Sequence, residues 1–144
     1  MFSPFRTARI SPEIRNVSMP IMRDGRLFLG AGATRNVVAL DAATGQTLWM
    51  WRPQEGERFA QAARKDSGKG VSYWAGADGR RRVIVVTPGY HLVSLNADTG
   101  LPDPGFGAGG WVDLTVGLRR APDRPLDVGL TAPGDLVQLA IAEK

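Results

Sequence analysis

An all-β fold of small antiparallel sheets is predicted by two observations on the sequence. The first is a strand, turn and strand pattern at residues 37–49, where the β-forming run Val-Val-Ala-Leu leads into an Asp-Ala-Ala-Thr-Gly turn. The second is a weaker copy at residues 93–100, which contains Leu-Asn-Ala-Asp-Thr-Gly. Repetition of a whole unit along a chain is an early indicator of fold class, because each copy forms the same local structure.

The two copies also share the residues before them. Asp24-Gly25 stands before the apolar run Leu27–Leu29, and Asp78-Gly79 stands before Val83–Val86. Each unit therefore consists of turn, strand, link, strand, turn and strand, which is the outline of a propeller blade. Two unrelated hairpins are the alternative, because Asp-Gly and Thr-Gly turns are common. We predict an incomplete β-propeller of about two antiparallel blades of the four-stranded type.

Composition agrees with a turn-rich β protein. The 144 residues suit one domain, 43% of them are hydrophobic, and 18 Gly and 10 Pro oppose a helical bundle. No run is long and apolar enough to span a membrane. The first residues lack the apolar stretch of a secretory signal, which leaves open a cytoplasmic protein or a chain without its natural N-terminus.

Charge and cysteine content exclude some classes of site. The chain has no Cys, so disulfides and thiolate metal sites are excluded. Its net charge is +4, which can indicate nucleic-acid binding. However, the arginines are scattered, and the run Arg80–Arg82 lies beside an Asp-Gly turn, where we expect a solvated hairpin end. We therefore predict no nucleic-acid partner.

The whole chain, residues 1–144, is predicted to form one partial propeller domain. Its predicted parts are an N-terminal arm at 1–16, a first blade unit at about 17–51, a loop at 52–69, a second blade unit at about 70–118, and a loop with the start of a third unit at 119–144. Within the first loop, residues 57–64 fit a helical turn or two without a clear apolar face. Long loops of this kind are often functional.

Four stretches, taken in order, carry a resemblance to a known family. Residues 39–49 resemble a tryptophan-docking motif, Ala-x-Asp-x-x-x-Gly-x-x-x-Trp, and residues 69–74 resemble an Arg-Gly-Val-x-Tyr-Trp segment. Residues 95–114 follow the order Asp-Ala-x-Thr-Gly, Phe-Gly and Gly-x-Val-Asp-Leu, and residues 130–133 are similar to a Thr-Ser-Pro motif. Together they resemble the quinoprotein dehydrogenases, the pyrroloquinoline quinone (PQQ)-dependent alcohol and glucose dehydrogenases.

The resemblance implies a fold, a chemistry and a location. The family fold is an eight-bladed propeller that holds PQQ and a calcium ion at its axis, where the quinone accepts electrons from an alcohol or a sugar. The family is periplasmic. Its calcium ligands and catalytic aspartate lie on blades beyond this chain, so we assign no catalytic residue and no metal ligand here.

The predicted function is a segment of such a dehydrogenase, inactive as this isolated chain. Its expected partners are an alcohol or sugar substrate, if the enzyme is complete, and the remaining blades or another copy of the chain. The alternative is a non-catalytic propeller scaffold, similar to the propellers of outer-membrane assembly.

Two residues are candidates for cofactor binding because of the resemblance. Lys69 takes the place of the family arginine that contacts PQQ, and it keeps the charge without the bidentate fork. Thr131 matches a threonine that reaches a cofactor carboxylate. A solvated loop lysine and a threonine at the start of a strand are the alternatives. The chain departs from many relatives at Ala63 and Arg64, which replace two adjacent cysteines, and at Val17, which replaces a glutamate.

The other polar residues are predicted to be structural. His91 is the one histidine, and its Pro-Gly-Tyr-His context predicts the polar surface of a turn. Asp41, Asn96 and Asp98 are expected to form turns. No Ser/His/Asp set, phosphate-binding loop or paired metal-ligand spacing is present in the sequence.

Overall fold

The protein forms two sheets, as seen in a computed structural model that describes residues 19–62, 65 and 70–117. The predicted N-terminal arm and the predicted start of a third unit lie outside these residues. Both sheets are four-stranded and antiparallel, with their strands in sequential order. This confirms the prediction of an all-β chain with four-stranded blades.

Blade 1 contains β1 (Ile21–Arg23), β2 (Arg26–Ala31), β3 (Asn36–Asp41) and β4 (Thr47–Trp51). A connection then carries the short helix α1 (Glu57–Ala60). Blade 2 contains β5 (Ser72–Ala75), β6 (Arg81–Val86), β7 (His91–Asn96) and β8 (Trp111–Asp113). Among the described residues, no helix has the length and apolar character needed to cross a membrane.

Local chemistry explains the turns. Asp24 and Gly25 both have positive φ, 49° and 72°, which suits the two-residue link between β1 and β2. The Asp41 carboxylate accepts hydrogen bonds from the backbone amides of Ala43 and Thr44, at 2.9 and 2.8 Å. These bonds lower the pKa of Asp41, the bond from the Thr44 amide most of all. The role predicted for Asp41 is confirmed.

The corresponding turn of blade 2 repeats this chemistry with an amide. The Asn96 side chain accepts hydrogen bonds from the backbone amides of Asp98 and Thr99, at 2.8 and 3.2 Å. Gly100 closes the turn at a φ of 72°, as Gly45 does in blade 1 at 74°. The two turns are therefore the same local structure, which is why the repeat is visible in the sequence.

The main core lies between the blades. Because side chains alternate along a strand, Phe28, Val37 and Ala39 point from blade 1 toward blade 2. They meet side chains from β6 and β7 of blade 2, namely Val83, Val85, Val93 and Leu95. The Phe28 ring lies 6.0 Å from the Trp49 ring and 5.8 Å from that of Tyr73. The blades thus pack face to face through an aliphatic and aromatic core.

A second cluster covers the other face of blade 2. Ile84, Leu92 and Phe106 are buried there. Phe106 comes from the loop after β7, and Asp103 of that loop donates its backbone amide to the Ser94 carbonyl at 2.8 Å. Residues 101–110, which are rich in Pro and Gly, contain no strand.

The outer face of blade 1 is the side of its sheet that points away from blade 2. It carries apolar side chains from all four strands: Met22, Leu27, Leu29, Leu40, Leu48 and Met50. Met22 and Met50 are 67% and 65% exposed. Exposed apolar surface of this kind is typical of an interface.

The arginine run is only partly the solvated hairpin end that was predicted. Arg80 fits this description, since it is exposed and pairs with Asp78 at 3.3 Å. Arg82 does not, because its side chain is 11% exposed, pairs with Asp103 at 2.5 Å and lies 4.8 Å from the Trp74 ring. Arg81 pairs with Asp98 at 2.9 Å. The prediction fails for Arg82 because alternation along β6 directs its side chain to the opposite face from Arg81, against Asp103 and Trp74, whereas the Arg81 side chain remains 39% exposed.

Candidate functional site

The two cofactor candidates, Lys69 and Thr131, lie outside the described residues. The structure does describe the chain directly after Lys69. Gly70 has a φ of 87°, and a side chain there would come within 3.2 Å of the backbone oxygen of Met19. Val71 is 2% exposed and belongs to the core between the blades. At the start of β5, the backbone conformation therefore requires the glycine of the Lys-Gly-Val segment, and burial in the core requires its apolar valine.

A buried carboxylate lies at this same end of blade 2. Glu55 comes after β4, and its side chain is fully buried. The Thr87 hydroxyl donates to Glu55 Oε1 at 2.5 Å, and the Gly89 amide donates to Glu55 Oε2 at 2.8 Å. His91 Nδ1 lies 2.6 Å from Glu55 Oε1. A buried carboxylate needs such partners, and all of them belong to blade 2.

His91 is therefore not the turn surface that the sequence predicts. It is the first residue of β7, and its ring packs edge-on against Trp111 with 5.4 Å between centroids. Its backbone amide donates to the Thr87 hydroxyl at 3.0 Å. The prediction is wrong because the partner, Glu55, stands 36 residues earlier and has no local sequence signature.

A second ionic contact anchors the same connection. Arg58 of α1 donates two hydrogen bonds to the Asp113 carboxylate, both at 2.7 Å, which is the bidentate geometry of a strong pair. Thr115 also donates to Asp113, from its backbone amide at 2.9 Å and its hydroxyl at 2.7 Å. These bonds, the Arg58 pair first, hold the pKa of Asp113 well below its usual range.

Both contacts lie at one edge of blade 2, by which we mean one end of its strands and not an outer strand of the sheet. Ser72 pairs with Ile84, so β5 begins where β6 ends, and Thr87 comes directly after β6. His91 pairs with Asp113, which places the end of β8 at this edge as well. The connection from blade 1 is thus attached to the edge at which the Lys-Gly-Val segment leads into β5.

The opposite edge carries a different set of contacts between the blades. Asp98 of blade 2 pairs with Arg26 of blade 1, and also with Arg81 at 2.9 Å. These hydrogen bonds and charges, led by Arg26, lower the pKa of Asp98. Asp24 of blade 1 accepts from the Tyr73 hydroxyl at 3.1 Å. Burial and this hydrogen bond raise the pKa of Tyr73. The two blades are therefore tied at both edges.

Trp49 adds a further contact between the blades at this opposite edge, through both a hydrogen bond and its ring. Its ring N–H donates to the backbone oxygen of Ala97 at 3.1 Å, and its ring lies directly against Gly100. Both partners belong to the turn after β7, so this tryptophan of blade 1 covers a turn of blade 2.

In the part of the chain that the structure describes, no three His, Cys, Asp or Glu residues group as metal ligands would. The residues that sequence reasoning missed are Glu55 and Arg58. Glu55 has no motif around it, and Arg58 stands among scattered arginines. Asp113, by contrast, belongs to the Val-Asp-Leu stretch that carries part of the family resemblance.

Comparison with known proteins agrees with this architecture. The sequence model of the PQQ family, described as "Glucose/ethanol/alcohol dehydrogenase, beta-propeller domain", matches residues 3–142. Nearly the whole chain is therefore covered by one family.

Individual relatives are similar to this chain at moderate identity. A probable quinate dehydrogenase (quinone) of Xanthomonas campestris pv. juglandis is 34% identical over 69% of this chain and 16% of its own length. A glycerol dehydrogenase large subunit of Gluconobacter thailandicus is 31% identical over 73% of this chain and 14% of its own. Subunit 1 of a methanol dehydrogenase of Methylobacterium organophilum is 31% identical over 56% of this chain and 13% of its own. The chain spans 13% to 16% of the length of these curated relatives.

Two antiparallel four-stranded sheets that pack face to face are two neighbouring blades of an incomplete β-propeller. The class is thus a propeller protein of the quinoprotein type. More particularly, the chain belongs to the family of PQQ-dependent dehydrogenase propeller domains.

Proposed function

We propose that this chain is part of a PQQ-dependent dehydrogenase that oxidises an alcohol or a sugar. The observation that carries the proposal is the family match over residues 3–142. The relatives are named for quinate, glycerol and methanol, all of which are hydroxyl compounds, and this supports a hydroxyl group as the site of oxidation. The family resemblance also supports a periplasmic location.

Lys69 and Thr131 are the residues we assign to the cofactor. PQQ carries three carboxylates, which require cations and hydrogen-bond donors. A lysine ammonium supplies a compact positive charge, and a threonine hydroxyl supplies one donor. The fixed start of β5 suits this role for Lys69, because Gly70 and Val71 hold the backbone directly after it. When bound, the quinone would accept electrons from the substrate, and the protein would bind and orient it.

Calcium is the second cofactor that the family implies. It takes six to eight oxygen ligands, and we assign none of them to this chain. A propeller site at the axis takes residues from many blades, and joint positioning of several groups supplies much of catalysis. We therefore propose that this chain by itself binds PQQ weakly and does not turn over substrate.

The test is a titration of the purified chain with PQQ, monitored by tryptophan fluorescence. We expect Lys69→Ala to weaken binding and higher salt to weaken it further, since the contact is mainly electrostatic. Lys65→Ala is the control, because it removes a lysine from the same connection, one that lies 5.5 Å from the Phe59 ring. A dye-linked assay with PQQ and calcium should show no turnover above the free cofactor.

Three outcomes would contradict the proposal. Binding that Lys69→Ala and Lys65→Ala weaken equally would remove Lys69 from the site. Turnover that Lys69→Ala abolishes would show that the chain holds a complete site. Absence of PQQ binding would favour the other candidate, a non-catalytic scaffold, for which the apolar outer face of blade 1 would be the interaction surface.

A further inference from the structure

The polar contacts between the blades at the opposite edge form one series of alternating charges. Asp98 of blade 2 accepts from Arg26 of blade 1, and from Arg81 of its own blade at 2.9 and 3.1 Å. Arg81 also donates to Asp24 of blade 1 at 3.3 Å, and the Tyr73 hydroxyl donates to the same carboxylate at 3.1 Å. Blade 1 thus contributes one cation and one anion, and blade 2 contributes partners for both.

We infer that these contacts select blade 2 as the neighbour of blade 1 and reject a second copy of blade 1. The apolar core between the blades cannot make this choice, because hydrophobic attraction has no direction and no sign. Charged groups can make it, since a wrong partner leaves them unpaired or places like charges together. The selection does not depend on PQQ.

Strand register identifies the positions in blade 1 that correspond to the partners in blade 2. Arg26 is paired with Asp41 and Arg82 is paired with Asn96, so the two arginines occupy equivalent positions in their blades. The same register and the shared turn relate the three partners in blade 2 to residues of blade 1: Tyr73 to Met22, Arg81 to Gly25, and Asp98 to Ala43. Blade 1 therefore lacks each polar side chain that its own charges contact in blade 2.

A second copy of blade 1, packed against the outer face of blade 1 as blade 1 packs on blade 2, would lose these contacts. Its Arg26 would face Ala43, and its Asp24 would face Met22 and Gly25. Neither a methyl group nor a methionine side chain can accept from a guanidinium or donate to a carboxylate. The wrong pairing therefore leaves one cation and one anion without partners.

The tryptophan contact does not distinguish the two blades. Trp49 needs a backbone oxygen and a glycine beneath its ring, which Ala97 and Gly100 supply in blade 2. The turn of blade 1 has the same local structure, and Gly45 has nearly the same φ and nothing within 4 Å of an added side chain. Selection must therefore come from the charged contacts.

Blade 2 is also a poor substitute for blade 1 as the partner of Asp98. Arg82, which is equivalent to Arg26, is paired with Asp103 of its own blade, and these two side chains are 11% and 13% exposed. The Arg82 guanidinium also lies 4.8 Å from the Trp74 ring. Because this cation is already engaged within blade 2, it is not offered to the turn of a neighbouring blade.

Exposure separates selection from stability. Arg26 and Asp24 are 30% and 59% exposed, and Asp98 and Arg81 are each 39% exposed. Pairs with this much solvent contact add little to the free energy of folding. Their larger effect is on the choice between partners, because like charges placed together oppose a wrong interface.

The experiment reverses one charge on each side of the interface, in separate full-length chains. Arg26→Asp and Asp98→Arg each place like charges between the two blades of one chain. In a mixture, blade 1 of each variant carries the charge that matches blade 2 of the other, so two chains can exchange blades and satisfy both interfaces. The variants, one of them isotope-labelled, are unfolded in urea and refolded together, and mixed and self pairs are counted by native mass spectrometry.

We expect mixed pairs to exceed self pairs by about tenfold, which corresponds to a preference of about 1.4 kcal/mol. Random association, including contact through the outer face of blade 1, gives mixed and self pairs in equal amounts. The matched control is Arg80→Asp mixed with Asp78→Arg, which reverses an exposed ion pair inside blade 2 and should pair at random. The double variant Arg26→Asp/Asp98→Arg should melt at a higher temperature than either single variant.

Random pairing in the Arg26→Asp and Asp98→Arg mixture would overturn the inference, as would an equal excess of mixed pairs in the control. A double variant that melts no higher than the single variants would also contradict it. If one single variant does not fold by itself, the mixture still decides. Recovery of folded mixed pairs on joint refolding would support selection by charge, and failure to recover them would exclude it.

Discussion

The Trp49 ring N–H donates to the backbone oxygen of Ala97 at 3.1 Å, so one side chain of blade 1 is bonded to a turn of blade 2. The ring also occupies the space where a side chain at Gly100 would lie, with ring atoms 2.5 Å from that position. A glycine is therefore required at position 100 for two reasons, its φ of 72° and the tryptophan above it.

We predict that Gly100→Ala destabilises the chain by more than Gly45→Ala does. Gly45 has nearly the same φ, 74°, but nothing within 4 Å of an added methyl group. Gly45→Ala should therefore show the backbone cost alone, about 1 kcal/mol or somewhat more, and the excess in Gly100→Ala should report the clash with Trp49. Urea unfolding measures both. Equal losses would show that the tryptophan contact has no influence on stability.

Two adjacent arginines should respond differently to the same substitution. Arg82→Met removes the partner of Asp103, which is 13% exposed, and we expect a loss of roughly 3 kcal/mol because an unpaired carboxylate remains. Arg81→Met breaks pairs that are exposed, so we expect a small loss that disappears at high salt. Urea unfolding at low and high salt checks both. Similar losses of stability for the two variants would contradict the difference in burial between the Arg82 pair and the Arg81 pairs.

Acid should weaken the contact between Arg58 and Asp113. Arg58 lowers the pKa of Asp113 below its ordinary value of 3.8. Because the folded-state pKa lies below the unfolded one, the stabilisation is complete above the ordinary value and is lost as the pH falls below it. We expect Asp113→Asn to be less stable than wild type at about pH 6, and to lose less further stability by about pH 3.

Asp78→Asn is the control for that measurement. It removes an exposed carboxylate from the turn before β6, away from the connection between the blades. Its urea midpoint should follow the wild-type dependence on pH. If Asp113→Asn also followed the wild-type curve, Asp113 would not contribute to the acid sensitivity of the fold.

The outer face of blade 1 should cause self-association of the purified chain. Met22 and Met50 lie on it and are each about two thirds exposed. We expect the double variant Met22→Lys/Met50→Lys to reduce association in sedimentation velocity, since association would bury two lysine charges in an apolar interface. Val116→Lys is the control, because Val116 is 77% exposed but lies after β8 in blade 2. A monodisperse wild-type monomer would contradict the prediction.

Much of the fold could be predicted from the sequence because its causes are local. The turn at Asp41 forms through bonds to amides two and three residues ahead, and Gly45 supplies the positive φ. Alternation of apolar residues indicates strands in the same way, since neighbouring side chains point to opposite faces. The candidate site could be predicted less well from the sequence. Lys69 and Thr131 come from the family resemblance and remain predictions.

The sequence by itself determined the repeated blade, with its turns, its strands and its family. Only the tertiary structure decided which distant residues meet. Glu55 with His91, Arg58 with Asp113, and Arg26 with Asp98 join positions 36, 55 and 72 residues apart. Such pairs have no period and no spacing to recognise, because their geometry exists only after one blade has packed on the other. The buried state of Glu55 results from contacts between the connection and blade 2, and that of Arg82 from contacts with Trp74 and Asp103 within blade 2, whereas the same residue types in isolation would be solvated.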